Sequence, residues 1–309
     1  MKHFLCLILC LQVSHFLIGW NIPYDVLLAD HTTRKYSIID KTGQLLWERP
    51  GRGLFEAWPM GDGSVLLADI DKIQKVIPSL KTGAEDKVLW TYKRGQGEKV
   101  DTLPKGIIYQ CTPLADGNIL VTESGIYRMV ELNAKGEVFK NIPIPAPAED
   151  HAQSLRLARK TKAGTYLVCY MLEGKIVEVN GAGKVLRTID VNPFVDEAGP
   201  SAYEAVPLAR GRILVSLGPS NKVIILNKRG KLEWELSRAD LPDDFGELHW
   251  ITKCIPLENG NIIVINYCKG QGKVKAFEIT MDKKIVWQMT DPRVKGLTDL
   301  QLLPDGWLE

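Results

Sequence analysis

The sequence predicts an all-β fold: a single six-bladed β-propeller built from four-stranded antiparallel blades. Three observations predict it. A glycine-centred hairpin motif recurs six times, a second turn motif follows most copies, and the last copy is split between the two ends of the chain.

The first motif is Leu-Ala-Asp116-Gly117-Asn-Ile-Leu-Val, which returns as Leu-Glu-Asn259-Gly260-Asn-Ile-Ile-Val. Further copies surround Asp62-Gly63, Arg210-Gly211 and Asp305-Gly306, and a looser one at Ala163-Gly164 reads as having a longer turn. The glycines at 63, 117, 164, 211, 260 and 306 are 46 to 54 residues apart. Asp-Gly and Asn-Gly tolerate the positive φ angles of two-residue hairpin turns. The aliphatic runs that follow suit half-buried strands. Pro59, Pro113, Pro207 and Pro256 each stand three residues before the first turn residue, where a missing N–H is tolerable only at a sheet edge or strand end.

The second motif is clearest at Ile39-Asp40-Lys41-Thr42-Gly43-Gln44-Leu45-Leu46-Trp47-Glu48 and is matched at 226–235. Copies follow at 132–139 and 179–186, and the one at 279–287 lacks the glycine. Each is strand, turn, strand, so a unit carries four strands, and that unit at this period means propeller blades. Five units are complete, at about 54–92, 107–142, 151–190, 201–236 and 248–291. The sixth takes its innermost strand from 299–303 and its outer three from 25–29, 35–39 and 45–48. Pairing the two chain ends leaves no open seam. Trp47, Trp90, Trp234 and Trp287 fall on outer strands and read as packing between sheets.

Residues 20–309 therefore form one domain, and 1–19 read as a signal peptide. Lys2 and His3 precede an apolar run at 4–11 and a shorter one at 16–18. That is the pattern of an export signal, and it is too short for a membrane helix. Leu7-Ile8-Leu9-Cys10 loosely matches a lipoprotein box, so an N-terminal lipid anchor is the alternative. The chain is expected to be secreted or periplasmic, with no membrane span. A net charge of +2 with interspersed signs argues against the basic stripe of a nucleic-acid or anionic-membrane partner. Cys111, Cys169, Cys254 and Cys268 match no zinc ribbon or CxxC motif. Export permits disulfides, but all four lie in strand-like runs and read as buried thiols used as small apolar residues. The chain has no P-loop, nucleophile elbow, His-Glu-x-x-His or EF-hand loop, and neither a metal nor a cofactor is expected.

Aligning the repeats on the turn glycine puts Glu56, Gln110, Glu204, Lys253 and Asp299 in one column, with Gln153 as the nearest equivalent in the third unit. All stand near the starts of innermost strands, which converge on a central channel. Trp58, Tyr109, Tyr203 and Trp250 lie close by in sequence. Polar groups beside flat rings suit a sugar or aryl ligand; the same column also reads as a merely solvated channel. Glu56, Glu204 and Asp299 could supply paired carboxylates for acid–base chemistry or hold a divalent cation.

The stretch Asp40-Lys-Thr-Gly-Gln-Leu-Leu-Trp-Glu48 resembles the repeat of PQQ-like propellers. Combined with the Asp/Asn-Gly hairpins, it is also similar to arylsulfotransferase-type propellers of exported bacterial proteins, over nearly all of the mature chain. That resemblance implies six blades and a histidine at the central funnel, for which His151 and His249 are the candidates by position. The expected function is a binding module that recognises a carbohydrate or another small ligand, or a protein partner, at the channel mouth. The alternative is an enzyme acting on sulfated, phenolic or polysaccharide substrates, and a third reading is a scaffold without a small-molecule site.

Overall fold

The computed structural model describes residues 20–308, except 54, 82–83, 99–103, 149–153, 198–199 and 269–270. Residues 1–19, read as a signal peptide, lie outside the described residues, as do His151 and Gln153. Six four-stranded antiparallel sheets form the ring. The innermost strands of blades one to five are Glu56–Pro59, Thr112–Pro113, Leu155–Lys160, Glu204–Pro207 and Ile251–Pro256. Blade six is the split one: Leu297–Leu302 is innermost and pairs with Val26–Asp30, followed by Lys35–Ile39 and Leu45–Pro50. All four repeat prolines sit where they were expected, Pro59, Pro207 and Pro256 being the last residues of innermost strands and Pro113 likewise.

The hairpin turns correct the sequence reading. In blade one Met60 N–H bonds Ser64 O and Gly63 N–H bonds Met60 O, and Gly63 has φ +75°. Blades two, three and five repeat these two bonds, with Gly117, Gly164 and Gly260 at φ +83°, +79° and +87°. The loops thus have three residues, and only the glycine takes the left-handed conformation, as in a type I turn closed by a G1 bulge. Asp62, Asp116 and Asn259 are there for another reason: each carboxylate or amide oxygen accepts the N–H two positions on. Blade three's turn is no longer than the others, so Leu157, not Gln153, occupies the aligned column seven residues before Gly164.

The second motif follows the same logic. Asp40, Asn133, Asn180 and Asn227 each accept the N–H groups two and four positions on. Blade five lacks the glycine, and Lys283 takes its left-handed place at φ +63°. The indoles staple neighbouring blades. Trp90 Nε1 donates to Ala134 O at 3.0 Å, Trp234 to Met281 O at 2.8 Å, and Trp47 to Asp86 Oδ1 at 2.8 Å. Trp287 instead donates to Glu278 within its own sheet.

The core consists of apolar layers between successive sheets. The position following the aligned column is Ala57, Cys111, Ala158, Ala205, Cys254 and Leu300, all buried. Blades are closest near the axis, and only a small side chain fits there in five of the six. Cys111 and Cys254 are therefore used in place of alanine, and all four described cysteines are free and buried. Among the described residues, no helix is long and apolar enough to cross a membrane.

Candidate functional site at the channel mouth

The aligned polar column lies deep in the channel. Glu56, Gln110 and Asp299 have no accessible surface, and Glu204 and Lys253 have 3% and 2%. Four of these side chains latch onto the next blade's backbone. Asp299 Oδ2 accepts Ala57 N–H at 2.9 Å, Glu56 Oε2 accepts Cys111 N–H at 2.6 Å, Gln110 Oε1 accepts Ala158 N–H at 2.5 Å, and Glu204 Oε2 accepts Cys254 N–H at 3.1 Å. Leu157 and Lys253 cannot accept, so two of the six seams have no such latch.

The three carboxylates converge on two cations. Lys253 Nζ lies 2.6 Å from Glu56 Oε1 and 2.9 Å from Asp299 Oδ2. Arg159, one turn of the pleat beyond Leu157, bonds Glu56 Oε1 at 2.8 Å and also Glu204 Oε1. Thr112, Gln301 and the Trp58 ring complete the cluster, with Lys253 Nζ 5.6 Å from that ring's centroid. Burial alone would raise Glu56, but Lys253 and Arg159 override it and hold it at about 2. Burial raises Asp299, and the Glu56 charge adds to this against the pull of Lys253, to about 7. Three carboxylates facing two cations shed the excess charge by keeping one proton. The carboxylates thus meet cations and backbone amides and form a plug across the axis.

A second layer of channel side chains lies above this plug. The position just before the aligned column is Phe55, Tyr109, Arg156, Tyr203, Thr252 and Thr298. In a regular strand these side chains would point away from the axis. β-Bulges change their aim: the pairing register slips at Arg156–Leu157, at Thr252 and at Thr298. Phe55 and Tyr203 donate their N–H groups to Ala68 and Ser216, the partners of Glu56 and Glu204. Consecutive residues therefore both face the channel.

The result is an arc of rings around one cation. The Arg156 guanidinium is 4.4 Å from the Tyr109 ring centroid and 5.1 Å from that of Tyr203. Phe55 stands 4.7 Å from Tyr109, His31 5.8 Å from Phe55 and Tyr267 6.1 Å from His31. Arg156 is only 4% exposed, its Nε faces Met171 Sδ at 3.1 Å, and no described carboxylate is within ion-pair distance of it. Burial raises the Tyr109 phenol while Arg156 pulls it down, and burial pushes Tyr203 up to about 12. Trp250 packs beside this group and is held at φ +58°, a conformation that costs a bulky residue energy and clusters at functional sites.

Of the sequence candidates, Tyr109, Tyr203 and Trp250 fall at the mouth, and Glu56, Gln110, Glu204, Lys253, Asp299 and Trp58 in or against the plug. His249 lines a groove of about 860 Å³ between blades four and five, with Lys222, Arg238 and Glu247. Arg156, Arg159 and Phe55 were missed. Two arginines inside Leu155-Arg-Leu-Ala-Arg-Lys160, a strand buried along most of its length, were the available signal, because a charge there has only the channel to enter.

A scan against protein-family models finds no match, and a search of curated proteins finds none. Solved structures do match. A protein of unknown function from Bacteroides caccae is 22% identical, with TM-score 0.73, over 90% of this chain and 98% of that one. Virginiamycin B lyase from Staphylococcus aureus is 13% identical, with TM-score 0.55, over 87% and 85%. The nidogen/laminin complex supplies a chain 12% identical, with TM-score 0.55, over 89% and 97%. At these identities the likeness shows the six-bladed propeller fold alone.

Proposed function

We propose that this chain is an exported binding module that takes an anionic, ring-bearing ligand at the channel mouth, an acidic carbohydrate being the best fit. The observation that carries the reading is Arg156: a buried guanidinium between two tyrosine faces without a carboxylate partner among the described residues. Burying a charge costs several kcal/mol unless it is paired, and a carboxylate or sulfate entering from solvent would supply the pair. Phe55 and Trp250, both half-buried beside this pair, offer faces for the ring that carries it. The solved neighbours include a lyase and a chain from the nidogen/laminin complex, so the fold suits both binding and catalysis.

An enzyme of arylsulfotransferase type is the second reading, and His31 favours it. Its Nδ1 bonds Gly53 O at 2.8 Å. A carbonyl can only accept, so Nδ1 is the donor, and in the neutral ring Nε2 is the nitrogen with the lone pair. The test is a thermal-shift titration with uronic-acid and sulfated oligosaccharides, their neutral counterparts and aryl sulfates. Acidic ligands should raise the melting temperature, and Arg156→Met should remove the shift. Equal shifts from neutral sugars, or shifts that survive Arg156→Met, would overturn the reading. Release of phenol from an aryl sulfate, lost in His31→Ala, would establish the enzyme instead.

A further inference from the structure

Blade four breaks the rule of its own repeat. Blades one, two and five place Asp62, Asp116 or Asn259 before the turn glycine, where the side chain accepts a backbone N–H. Blade four places Arg210 there, at φ +61° and followed by Gly211 at +72°. Arginine gains nothing from that left-handed conformation and supplies no acceptor to the turn. The outer turn of the same blade, Lys228-Arg229-Gly230-Lys231, abuts it: a Cβ on Gly211 would stand 3.2 Å from Lys228 Cβ. Elsewhere the turn acids hold nearby lysines, as Asp62 holds Lys75 at 2.6 Å and Asp116 holds Lys160 at 3.4 Å. Arg210, Arg212, Lys228, Arg229 and Lys231 share one concavity with Glu233 as its only acid, and none of the five forms an ion pair with a described residue.

A second concavity joins this one at Arg210 and Arg212. It is a groove of about 780 Å³ between blades three and four, floored by Pro207 and Leu208 over the buried Leu167 and Ile213, with Lys162 on its far edge and its one described acid, Glu178, held by Arg187 at 2.6 Å. An aliphatic floor with a cationic edge asks for a partner that is both apolar and acidic. Among the described residues no aromatic side chain lines either concavity, so nucleobases would have nothing to stack on. The recess does not match a flat bilayer surface.

We propose that this groove docks an acidic peptide segment of a partner protein, with aliphatic side chains on Pro207 and Leu208 and carboxylates against Arg210, Arg212 and the Lys228–Lys231 turn. The site lies on the rim where innermost strands end, away from the mouth where they begin, and does not depend on the ligand proposed there.

The experiment is fluorescence polarisation of a labelled alternating Glu-Leu peptide with the full chain, against labelled polyglutamate, heparin and phosphatidylserine vesicles as comparison probes. The Glu-Leu peptide should saturate and bind at least about tenfold more tightly than polyglutamate, as an apolar anchor requires. Arg210→Glu with Arg212→Glu, and separately Lys228→Glu with Lys231→Glu, should each weaken it about tenfold or more. Leu208→Ala, with unchanged circular dichroism, should weaken it too, and Arg156→Met should leave it unchanged. Polyglutamate, heparin or vesicles binding as tightly as the Glu-Leu peptide would overturn the proposal, as would charge reversals without effect.

Discussion

Lys253 and Glu56 stand two blades apart in the ring and 197 positions apart in the chain, yet Nζ and Oε1 meet at 2.6 Å. The contact crosses the axis, and with Arg159 it ties blades one, three, four, five and six to one buried cluster. Removing one cation would strand carboxylates that have no route to water. Lys253→Met should destabilise the fold by about 3–5 kcal/mol, read as a lower urea midpoint at unchanged slope. A loss below about 1 kcal/mol would mean that water reaches the cluster.

The retained proton makes stability depend on pH. Asp299 keeps its proton to about pH 7 when folded, against an ordinary value of 3.8. Between those values the folded chain holds one proton more than the unfolded one, so stability falls as pH rises, by up to about 1.4 kcal/mol per unit. Glu56 works in the other direction: held at about 2 against 4.5, it stabilises above pH 4.5, and that contribution is lost as pH falls toward 2. Asp299→Asn imitates the protonated acid. It should leave stability nearly unchanged at about pH 3.5, where both states hold the proton, and raise it at pH 8, which denaturation at the two pH values would measure.

Cys111 and Cys254 occupy the inter-blade position that Ala57, Ala158 and Ala205 fill elsewhere. Cys111→Ala and Cys254→Ala should each cost no more than about 1–2 kcal/mol. Ala158→Leu, which adds volume where two sheets are closest, should cost about 1–3 kcal/mol. Thermal melts would rank the three, and a reducing agent should move none of them.

Arg210 at φ +61° makes stability and binding oppose each other. Arg210→Asn restores a residue suited to a left-handed turn and should raise stability by up to about 1 kcal/mol. A higher melting temperature with weaker peptide binding would mark this turn as kept for recognition.

Much of the ring was legible because its determinants are local. The turn glycines fix the hairpins, and the constant seven-residue offset from Glu56 to Gly63, Gln110 to Gly117 and Asp299 to Gly306 fixes the depth of each side chain. The same offset selects Leu157, and Gln153 would hold that place only if the Thr161–Thr165 turn were longer than the others, which it is not. The mouth was harder to read, because bulges break the period-two rule. Phe55 and Arg156 would face away from the channel in an unbulged strand, and only the pairing slip at Arg156–Leu157 turns that arginine inward. Tyr109 and Tyr203 were noticed for their chemistry, not for their direction.

Blade six joins Val26 to Leu302 across the length of the ring, so that pairing is the one sheet contact that local folding cannot supply. Blades one to five can form from neighbouring segments, whereas closure waits for the final strand and bears the entropy of the longest loop in the molecule. Until then the Val26–Asp30 strand has an unpaired edge that any second copy's last strand could fill. The same seam that seals the native ring thus sets a kinetic competition between closing on itself and exchanging strands with a neighbour, and protein concentration during refolding should tip that balance.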